Sequence, residues 1–112
     1  MKTEHPSFAV EPTREAEKDL ARLRPWTAQA TQAILRLEQQ PYLGHSLTGS
    51  LKGARALEFS LRGGGAYRAV YVAGYVVLEE HHTCLVFIVG PHENIYDKAE
   101  RRLAALRRAG RI

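Results

Sequence analysis

The sequence has 112 residues, of which 45% are hydrophobic and 25% are charged, and its formal net charge is +4. These values are typical of one folded domain, so we expect residues 1–112 to form a single domain, and they exclude global disorder. The single cysteine, Cys84, excludes an internal disulfide framework.

The first twenty residues carry too many charges for a signal peptide. The longest apolar run, Ala69 to Leu78, is about half the roughly twenty residues that a membrane-spanning helix needs. We therefore expect a cytoplasmic protein with no membrane partner. The positive charge is uneven, because acidic and basic residues cancel up to Gln40 and the excess lies beyond Pro41. This basic half could attract nucleic acid or an acidic partner segment.

The first third of the chain predicts a strand and two helices. Ser7 to Val10 is a short apolar stretch between prolines, which favours an edge strand. Thr13 precedes an amphipathic pattern that ends before Pro25. A second helix should open near Pro25 or Thr27 and stop by Pro41. The short connection predicts a helical hairpin.

The middle of the chain predicts a loop followed by a three-stranded meander. The loop covers Pro41 to Gly53, and strict alternation from Arg55 to Arg62 indicates a strand with one apolar face. Three consecutive glycines supply a hairpin turn before a central strand that starts near Ala66 and continues to Leu78. The polar residues Glu79 to His82 predict the next turn. The run from Thr83 to Val89 predicts the third strand.

The chain ends in a predicted helix from about Asn94 to Ala109, whose last turns are loaded with arginine. The predicted fold class is therefore α+β, with the N-terminal edge strand and the meander in one antiparallel sheet that carries a layer of helices.

Several chemically reactive side chains fall in or near the two most strand-like runs. Arg68 sits inside an otherwise apolar strand, and His92 and Tyr96 follow the next strand at its exit. His81, His82 and Cys84 do not predict a metal site, because adjacent strand residues point to opposite faces and two ligands do not hold an ion. We expect no metal and no cofactor.

Nearly the whole chain resembles the RelE/ParE superfamily of bacterial toxins from type II toxin–antitoxin modules. Four segments carry the resemblance: KDLARL at Lys18 to Leu23, LKG at Leu51 to Gly53, YRAVY at Tyr67 to Tyr71 and GPHENIY at Gly90 to Tyr96. The resemblance implies a compact fold like that of microbial ribonucleases, silenced by an antitoxin that wraps it.

For RelE-like members, the resemblance implies cleavage of mRNA, usually on the ribosome and without a metal ion, by attack of the ribose 2′-hydroxyl on the adjacent phosphate. That reaction needs a base, a cation on the phosphate and an acid. Arg68 matches the family's strand arginine, His92 matches the basic residue at the strand exit, and Tyr96 matches a tyrosine near the start of the last helix. They are the implied phosphate clamp, proton-transfer group and ribose or base contact.

The sequence departs from the lysine-based members of the superfamily, since Glu58 and Ser60 stand roughly where some of them carry lysines. Glu58 shares the polar face of its strand and is a candidate base. Lys52 and Arg62 are candidate contacts to the RNA backbone.

Two other functions remain open at this point. A ParE-like toxin would bind and poison DNA gyrase without catalysis, and an inactive member would bind only its antitoxin. The expected partners are a cognate antitoxin, mRNA and the ribosome, with DNA contacted only indirectly through the antitoxin. The proton-transfer residue His92 beside Arg68 favours the ribonuclease, because a gyrase binder has no need for it.

Overall fold

A computed structural model of the protein describes residues 8–76 and 81–112. Its strands form a five-stranded sheet in the order β1-β5-β4-β3-β2. The strands are β1 (Ala9–Pro12), β2 (His45–Ser46), β3 (Arg55–Leu61), β4 (Gly65–Val76) and β5 (His81–Pro91). The α-helices are α1 (Arg14–Ala21), α2 (Thr27–Leu35) and α3 (Ile95–Arg108), and short 3-10 turns cover Arg36–Glu38 and Gly49–Leu51. The predicted α+β class is confirmed.

The N-terminal helices follow the sequence pattern closely. The Thr13 hydroxyl accepts a hydrogen bond of 3.1 Å from the backbone N–H of Ala16, which caps α1. The second helix opens at Thr27, and the Thr27 hydroxyl donates to the Leu20 carbonyl at 2.7 Å, which ties the two helices together. The predicted strand at Ser7 to Val10 is observed two residues later, at Ala9–Pro12, and Ser7 lies outside the described residues.

The expectation of a wholly antiparallel sheet is wrong for β1. This strand lies at the predicted edge, but it runs parallel to β5, with Val10 opposite Cys84. A tight turn forces its two strands to be antiparallel, whereas parallel partners are joined by a long crossover. Between β1 and β5 the chain forms α1, α2 and strands β2 to β4. No short turn joins the two strands, so the turn signals in the sequence do not indicate the direction of their pairing.

The meander is confirmed, and it extends further than predicted. Gly63 and Gly65 adopt positive φ angles of 80° and 94°, so the glycine turn uses a backbone conformation that other residues resist. His81 and His82, assigned to a turn from their polarity, lie instead in β5. Residues 77–80, which include the rest of that predicted turn, are outside the described residues. The predicted loop also contains the short strand β2, which pairs with the start of β3.

Helices cover both faces of the sheet instead of forming one layer. On one face, α1 and α2 bury Ala16, Ala30 and Ile34 against the apolar side of β3, including Leu57 and Phe59. On the other face, the stripe of α3 packs on Val70, Phe87 and Ile88. The alternation of β3 directs Glu58 to the same face of the sheet as α3.

A buried ion pair connects the two helical layers around the edge of β5. Asp19 of α1 is only 7% exposed, and its Oδ2 accepts hydrogen bonds from Arg102 Nη1 at 2.6 Å and from the Val89 backbone N–H at 3.0 Å. Arg102 also donates to the Phe87 carbonyl at 3.0 Å. These two side chains therefore satisfy the backbone of β5 where β1 no longer pairs with it, as buried polar groups require.

The long loop before β3 is fastened to the sheet by one tyrosine. The Tyr71 hydroxyl donates to the Pro41 carbonyl at 2.7 Å and accepts from the Gly44 N–H at 3.0 Å. Tyr71 is fully buried, and burial raises the pKa of its phenol above the ordinary value of 10.0. Gly44 fits there because a Cβ atom would lie 2.7 Å from the Ala56 carbonyl oxygen.

Replacing Tyr71 with phenylalanine should lower the free energy of unfolding by about 2 kcal/mol, since the Gly44 N–H and the Pro41 carbonyl both lose their partner. Denaturant unfolding followed by circular dichroism measures the change. Tyr42→Phe is the matched control, because Tyr42 is 59% exposed and its loss of a hydroxyl should have little effect. Equal destabilisation by both variants would contradict the anchoring role of Tyr71.

Candidate active site

The register of the sheet brings Glu58 and Arg68 together. Both belong to the antiparallel pair β3 and β4, in which Glu58 lies directly opposite Arg68 and Arg68 lies opposite Gly90 of β5. Directly opposed residues have their Cβ atoms about 4.5–5.5 Å apart, so a long side chain reaches its partner easily. The glycine turn therefore positions the acid beside the arginine.

The exit of β5 brings in the other two predicted residues. The backbone N–H of His92 bonds the Ala66 carbonyl at 3.3 Å, so the chain still follows β4 just beyond the last residue of β5. Asn94 then adopts a left-handed conformation with φ 61°, which turns the chain into α3. Ile95 packs close to Gly90, so the first turn of α3, with Tyr96, folds back onto the sheet.

The four residues predicted to be catalytic form one hydrogen-bonded cluster centred on Arg68. Arg68 Nη1 donates to the Tyr96 hydroxyl at 2.8 Å, and Nη2 donates to Glu58 Oε2 at 2.9 Å and to His92 Nε2 at 2.7 Å. The guanidinium carbon also lies 5.1 Å from the centroid of the Tyr96 ring, a cation–π contact. We refer to Glu58, Arg68, His92 and Tyr96 as the arginine cluster.

The hydrogen bond between Arg68 and His92 fixes the proton positions on the imidazole. Arginine has only donors, so Nε2 of His92 must accept this bond. Nε2 therefore carries no proton in this arrangement, and a neutral ring has its proton on Nδ1. A proton that arrives at Nε2 would have to displace Arg68 from it.

Burial differs sharply across the cluster. The Arg68 side chain is 13% exposed, whereas that of Glu58 is 53% exposed. Arg68 Nε is buried and has no hydrogen-bond partner in the described part of the chain. The guanidinium of Arg68 is therefore largely shielded from water, whereas the carboxylate of Glu58 remains in contact with it.

The two predicted RNA contacts lie in different places. Arg62 is exposed and follows the end of β3 at the glycine turn, the same end of the sheet as the arginine cluster. The carbonyl of Lys52 accepts a hydrogen bond from Arg107 Nη2 at 2.9 Å, which places Lys52 beside the C-terminal end of α3. The cluster lies at the N-terminal end of that helix, and from Tyr96 to Arg107 the helix rises about 16 Å at 1.5 Å per residue. Arg62 is four residues beyond Glu58 along the chain, about 13 Å at 3.3 Å per residue, so neither predicted contact touches the cluster in the described part of the chain.

Cys84 is a free, buried cysteine. Burial raises the pKa of the Cys84 thiol to about 11, so this thiol is unreactive at neutral pH. Within residues 8–76 and 81–112, no group of three histidine, cysteine or acidic side chains is placed to hold a metal ion. None of the helices in those ranges is long and apolar enough to cross a membrane.

Comparison with known proteins identifies the class of protein to which the chain belongs. The helical pair, the mostly antiparallel sheet and the C-terminal helix are the fold of RelE-type toxins. The chain belongs to the family described as ParE-like toxins of type II bacterial toxin–antitoxin systems, whose sequence model matches residues 10–100. The resemblance to the RelE/ParE superfamily is thereby confirmed. A search of curated proteins finds no significant match.

Two solved structures illustrate the similarity. A chain in the toxin–antitoxin complex RelBE2 from Mycobacterium tuberculosis is 25% identical, with a TM-score of 0.62, over 77% of this chain and 99% of that one. A double arginine-to-alanine mutant of the Escherichia coli toxin RelE, in the free state, is 20% identical, also with a TM-score of 0.62, over 89% of this chain and 98% of that one. The second likeness supports the fold alone.

Proposed function

We propose that this toxin is an endoribonuclease that cleaves mRNA by attack of a 2′-hydroxyl on the adjacent phosphate, without a metal ion. The observation that carries the proposal is the arginine cluster, in which one cation is in contact with a carboxylate, an imidazole and a phenol. Those are the groups that such a transesterification needs, namely a base, an acid and a charge on the phosphate.

In the proposed reaction Arg68 binds the scissile phosphate. A guanidinium binds a phosphate best through two parallel N–H donors, and the buried Nε beside Nη2 offers such a pair. Glu58 uses only Nη2, and because its side chain is 53% exposed its pairing with Arg68 is worth no more than about 1 kcal/mol. A phosphate group therefore displaces Glu58 at little cost.

Displacement from Arg68 leaves Glu58 free to act as the base. Its exposed carboxylate then accepts the proton of the 2′-hydroxyl. The 2′ oxygen forms a bond to phosphorus as the bond from phosphorus to the 5′ oxygen breaks. The products are a 2′,3′-cyclic phosphate on one fragment and a 5′-hydroxyl on the other.

His92 is the proposed acid for the leaving 5′ oxygen. In the free protein its Nε2 accepts from Arg68 and is unprotonated. When the phosphate takes over the donors of Arg68, Nε2 of His92 loses its donor and can carry a proton. His92 can then give that proton to the 5′ oxygen. The proposed role of Tyr96, whose hydroxyl accepts from Nη1 of Arg68, is to stack on a base or orient the ribose.

The proposed setting is the bacterial cytoplasm, with mRNA on the ribosome as substrate and a cognate antitoxin as inhibitor. The family description supports a toxin–antitoxin module, and the similar M. tuberculosis chain is part of a toxin–antitoxin complex. Arg62, at the same end of the sheet as the cluster, and Lys52, beside the C-terminal end of α3, are the proposed contacts to the RNA backbone.

The second candidate function is that of a gyrase poison, and the ParE-like family description favours it. A protein that acts only by binding has no use for a base and an acid on either side of an arginine. The two functions differ in what accumulates in the cell, since a ribonuclease produces cut mRNA and a gyrase poison produces trapped gyrase–DNA complexes.

Glu58→Gln and His92→Gln should each lower the rate of mRNA cleavage by about 10²–10⁴-fold, because each removes one proton transfer. The measurement is the rate at which each variant cleaves a defined mRNA on purified ribosomes, compared with the rate of the wild-type toxin. Glu17→Gln and His45→Gln are matched controls, since both residues are exposed on elements away from the cluster.

A substrate with sulfur in place of the leaving 5′ oxygen separates the two roles, because a thiolate leaves without a proton. This substrate should restore cleavage by His92→Gln and leave Glu58→Gln defective. Restoration of Glu58→Gln alone would reverse the assignment of acid and base. Full activity of both variants on the normal substrate would refute acid–base catalysis by the cluster.

A further inference from the structure

One extra residue interrupts the regular pairing of β5 with β4. Val70 of β4 lies opposite Ile88, whereas the next residue of β4 lies opposite Val86. Phe87 is therefore an extra residue in β5, which makes a β-bulge. Side chains normally alternate between the two faces of a strand, yet Phe87 and Ile88 both pack on the α3 face. The bulge thus reverses the alternation of the residues that follow it.

This reversal determines on which face of the sheet His92 lies. Before the bulge, Cys84 and Val86 pack on the face that α1 and α2 cover. Unbroken alternation would continue through residues 88 and 90 and would place His92 on that face, away from Arg68. After the bulge it is Val89 that packs on the α1 and α2 face, so His92 lies on the α3 face. There its Nε2 is 2.7 Å from Nη2 of Arg68.

The buried pair of Asp19 and Arg102 binds the backbone of the bulge itself. Arg102 Nη1 donates to the carbonyl of the extra residue, Phe87, at 3.0 Å. The N–H of Val89, two residues further on, donates to Asp19 Oδ2 at 3.0 Å. The two side chains also bond each other, at 2.6 Å and 3.2 Å. Residues 87–89 are therefore held from α1 and from α3 where a bulge disturbs the ladder of β-sheet hydrogen bonds.

Stability alone does not explain a buried ion pair at this position. Taking two charges out of water is unfavourable, and well-packed apolar residues often hold two helices together equally well or better. Apolar residues could not, however, bond the carbonyl of Phe87 or the N–H of Val89. The specific contribution of Asp19 and Arg102 is a fixed conformation of the bulge.

We infer that Asp19 and Arg102 are positioning residues for the reaction, because they fix the bulge that directs His92 toward Arg68. The inference rests on the proposed function, in which His92 is the acid. The effect is transmitted through the backbone, since the Val89 N–H that Asp19 holds lies three residues before His92. The pair thus supports proton transfer to the leaving 5′ oxygen and not proton transfer from the 2′-hydroxyl.

The test compares cleavage of normal mRNA with cleavage of the substrate that has sulfur in place of the leaving 5′ oxygen. The double variant Asp19→Leu with Arg102→Met removes both bonds to the bulge and both members of the buried pair, so it should fold. Its single-turnover rate on normal mRNA should fall by about 10–100-fold, because a misplaced acid transfers its proton poorly. On the sulfur substrate, which needs no acid, its rate should equal that of the wild-type toxin.

Two further variants sharpen the comparison. Arg22→Met is the matched control, because it removes only the 3.4 Å contact of an exposed arginine with Asp19 and should leave both rates unchanged. Asp19→Asn keeps the size of the side chain and an oxygen for the Val89 N–H, but it gives up the charge that holds Arg102. It should show a smaller loss on normal mRNA and again none on the sulfur substrate. Circular dichroism establishes that each variant is folded.

The nitrogen chemical shifts of the His92 ring provide a readout that does not require activity. In the wild-type toxin Nε2 should be unprotonated, as its bond from Arg68 requires, and in the double variant part of the molecules should carry a proton there. Equal losses of rate on both substrates, full activity on normal mRNA, or unchanged ring shifts in a folded variant would each overturn the positioning role. An inactive wild-type toxin would instead refute the ribonuclease, and the ring shifts would still show whether the bulge directs His92.

Discussion

Replacing Arg68 with alanine is expected to reduce mRNA cleavage by about 10³-fold and to abolish growth arrest. Arg68 is the only member of the arginine cluster that contacts the other three, and it supplies the positive charge that the phosphate needs. Its substitution removes the phosphate clamp and also the donor that orients His92 and Tyr96. The measurement is the single-turnover cleavage rate on ribosomes, together with growth after induction.

Two controls separate loss of chemistry from loss of fold. Arg68→Lys keeps the charge but loses the paired donors, so it should recover only part of the rate. Ser60→Ala, on the polar face of the neighbouring strand, should leave the rate unchanged. Circular dichroism should show native structure for all three variants. A folded Arg68→Ala protein that still cuts mRNA at the wild-type rate would contradict the proposed role of Arg68.

Asp19→Ala should be the most destabilising single substitution outside the apolar core, lowering the free energy of unfolding by about 3–5 kcal/mol. The change leaves the Arg102 guanidinium without its anion and the Val89 N–H without an acceptor, both at a site that water reaches poorly. Denaturant unfolding gives the loss directly. Glu17→Ala, an exposed acid on the same helix, should change stability by less than about 0.5 kcal/mol.

A double-mutant cycle tests whether the pair is the cause. Arg102→Met alone leaves the buried Asp19 carboxylate with only the longer contact of 3.4 Å to the exposed Arg22, whereas the double variant Asp19→Ala with Arg102→Met removes both members of the buried pair. The double variant should therefore be more stable than the sum of the two single losses predicts. Strict additivity would show that the two side chains stabilise the protein independently.

Much of the candidate site was predictable, because its residues belong to regular strands and a tight turn. Alternation along β3 put Glu58 on the polar face, and the glycine turn set the register that opposes it to Arg68. The strand exit at Gly90 then located His92 and Tyr96. What the sequence left open was their shared use of one guanidinium, which depends on side-chain conformations.

The features that sequence reasoning missed depend on contacts between distant segments. No local pattern indicates that β1 runs parallel to β5, or that β2 forms inside the loop. Asp19 did carry a signal, since it lies three residues after Ala16 and four before Leu23, on the buried face of α1. An acid at such a position needs a partner, and only the fold shows that the partner is Arg102.

The arginines of α3 likewise have roles that the sequence does not distinguish and that the structure does. From the sequence they form one basic helix end, yet the structure gives them different roles. Arg102 pairs with Asp19, and Arg107 holds the Lys52 carbonyl, so both support the fold. Arg101 and Arg108 have no such contact among the described residues, and both are exposed. Charge content predicted a basic surface, but only burial and contacts show which cations remain available to a partner.

The most direct test of the proposed function is to analyse the ends of the mRNA fragments produced on ribosomes by the purified toxin. The proposed chemistry predicts fragments that end in a 2′,3′-cyclic phosphate and begin with a 5′-hydroxyl, and predicts none with the Arg68→Ala variant. Intact mRNA, with trapped gyrase–DNA complexes in cells that express the toxin, would contradict the ribonuclease and support the gyrase poison.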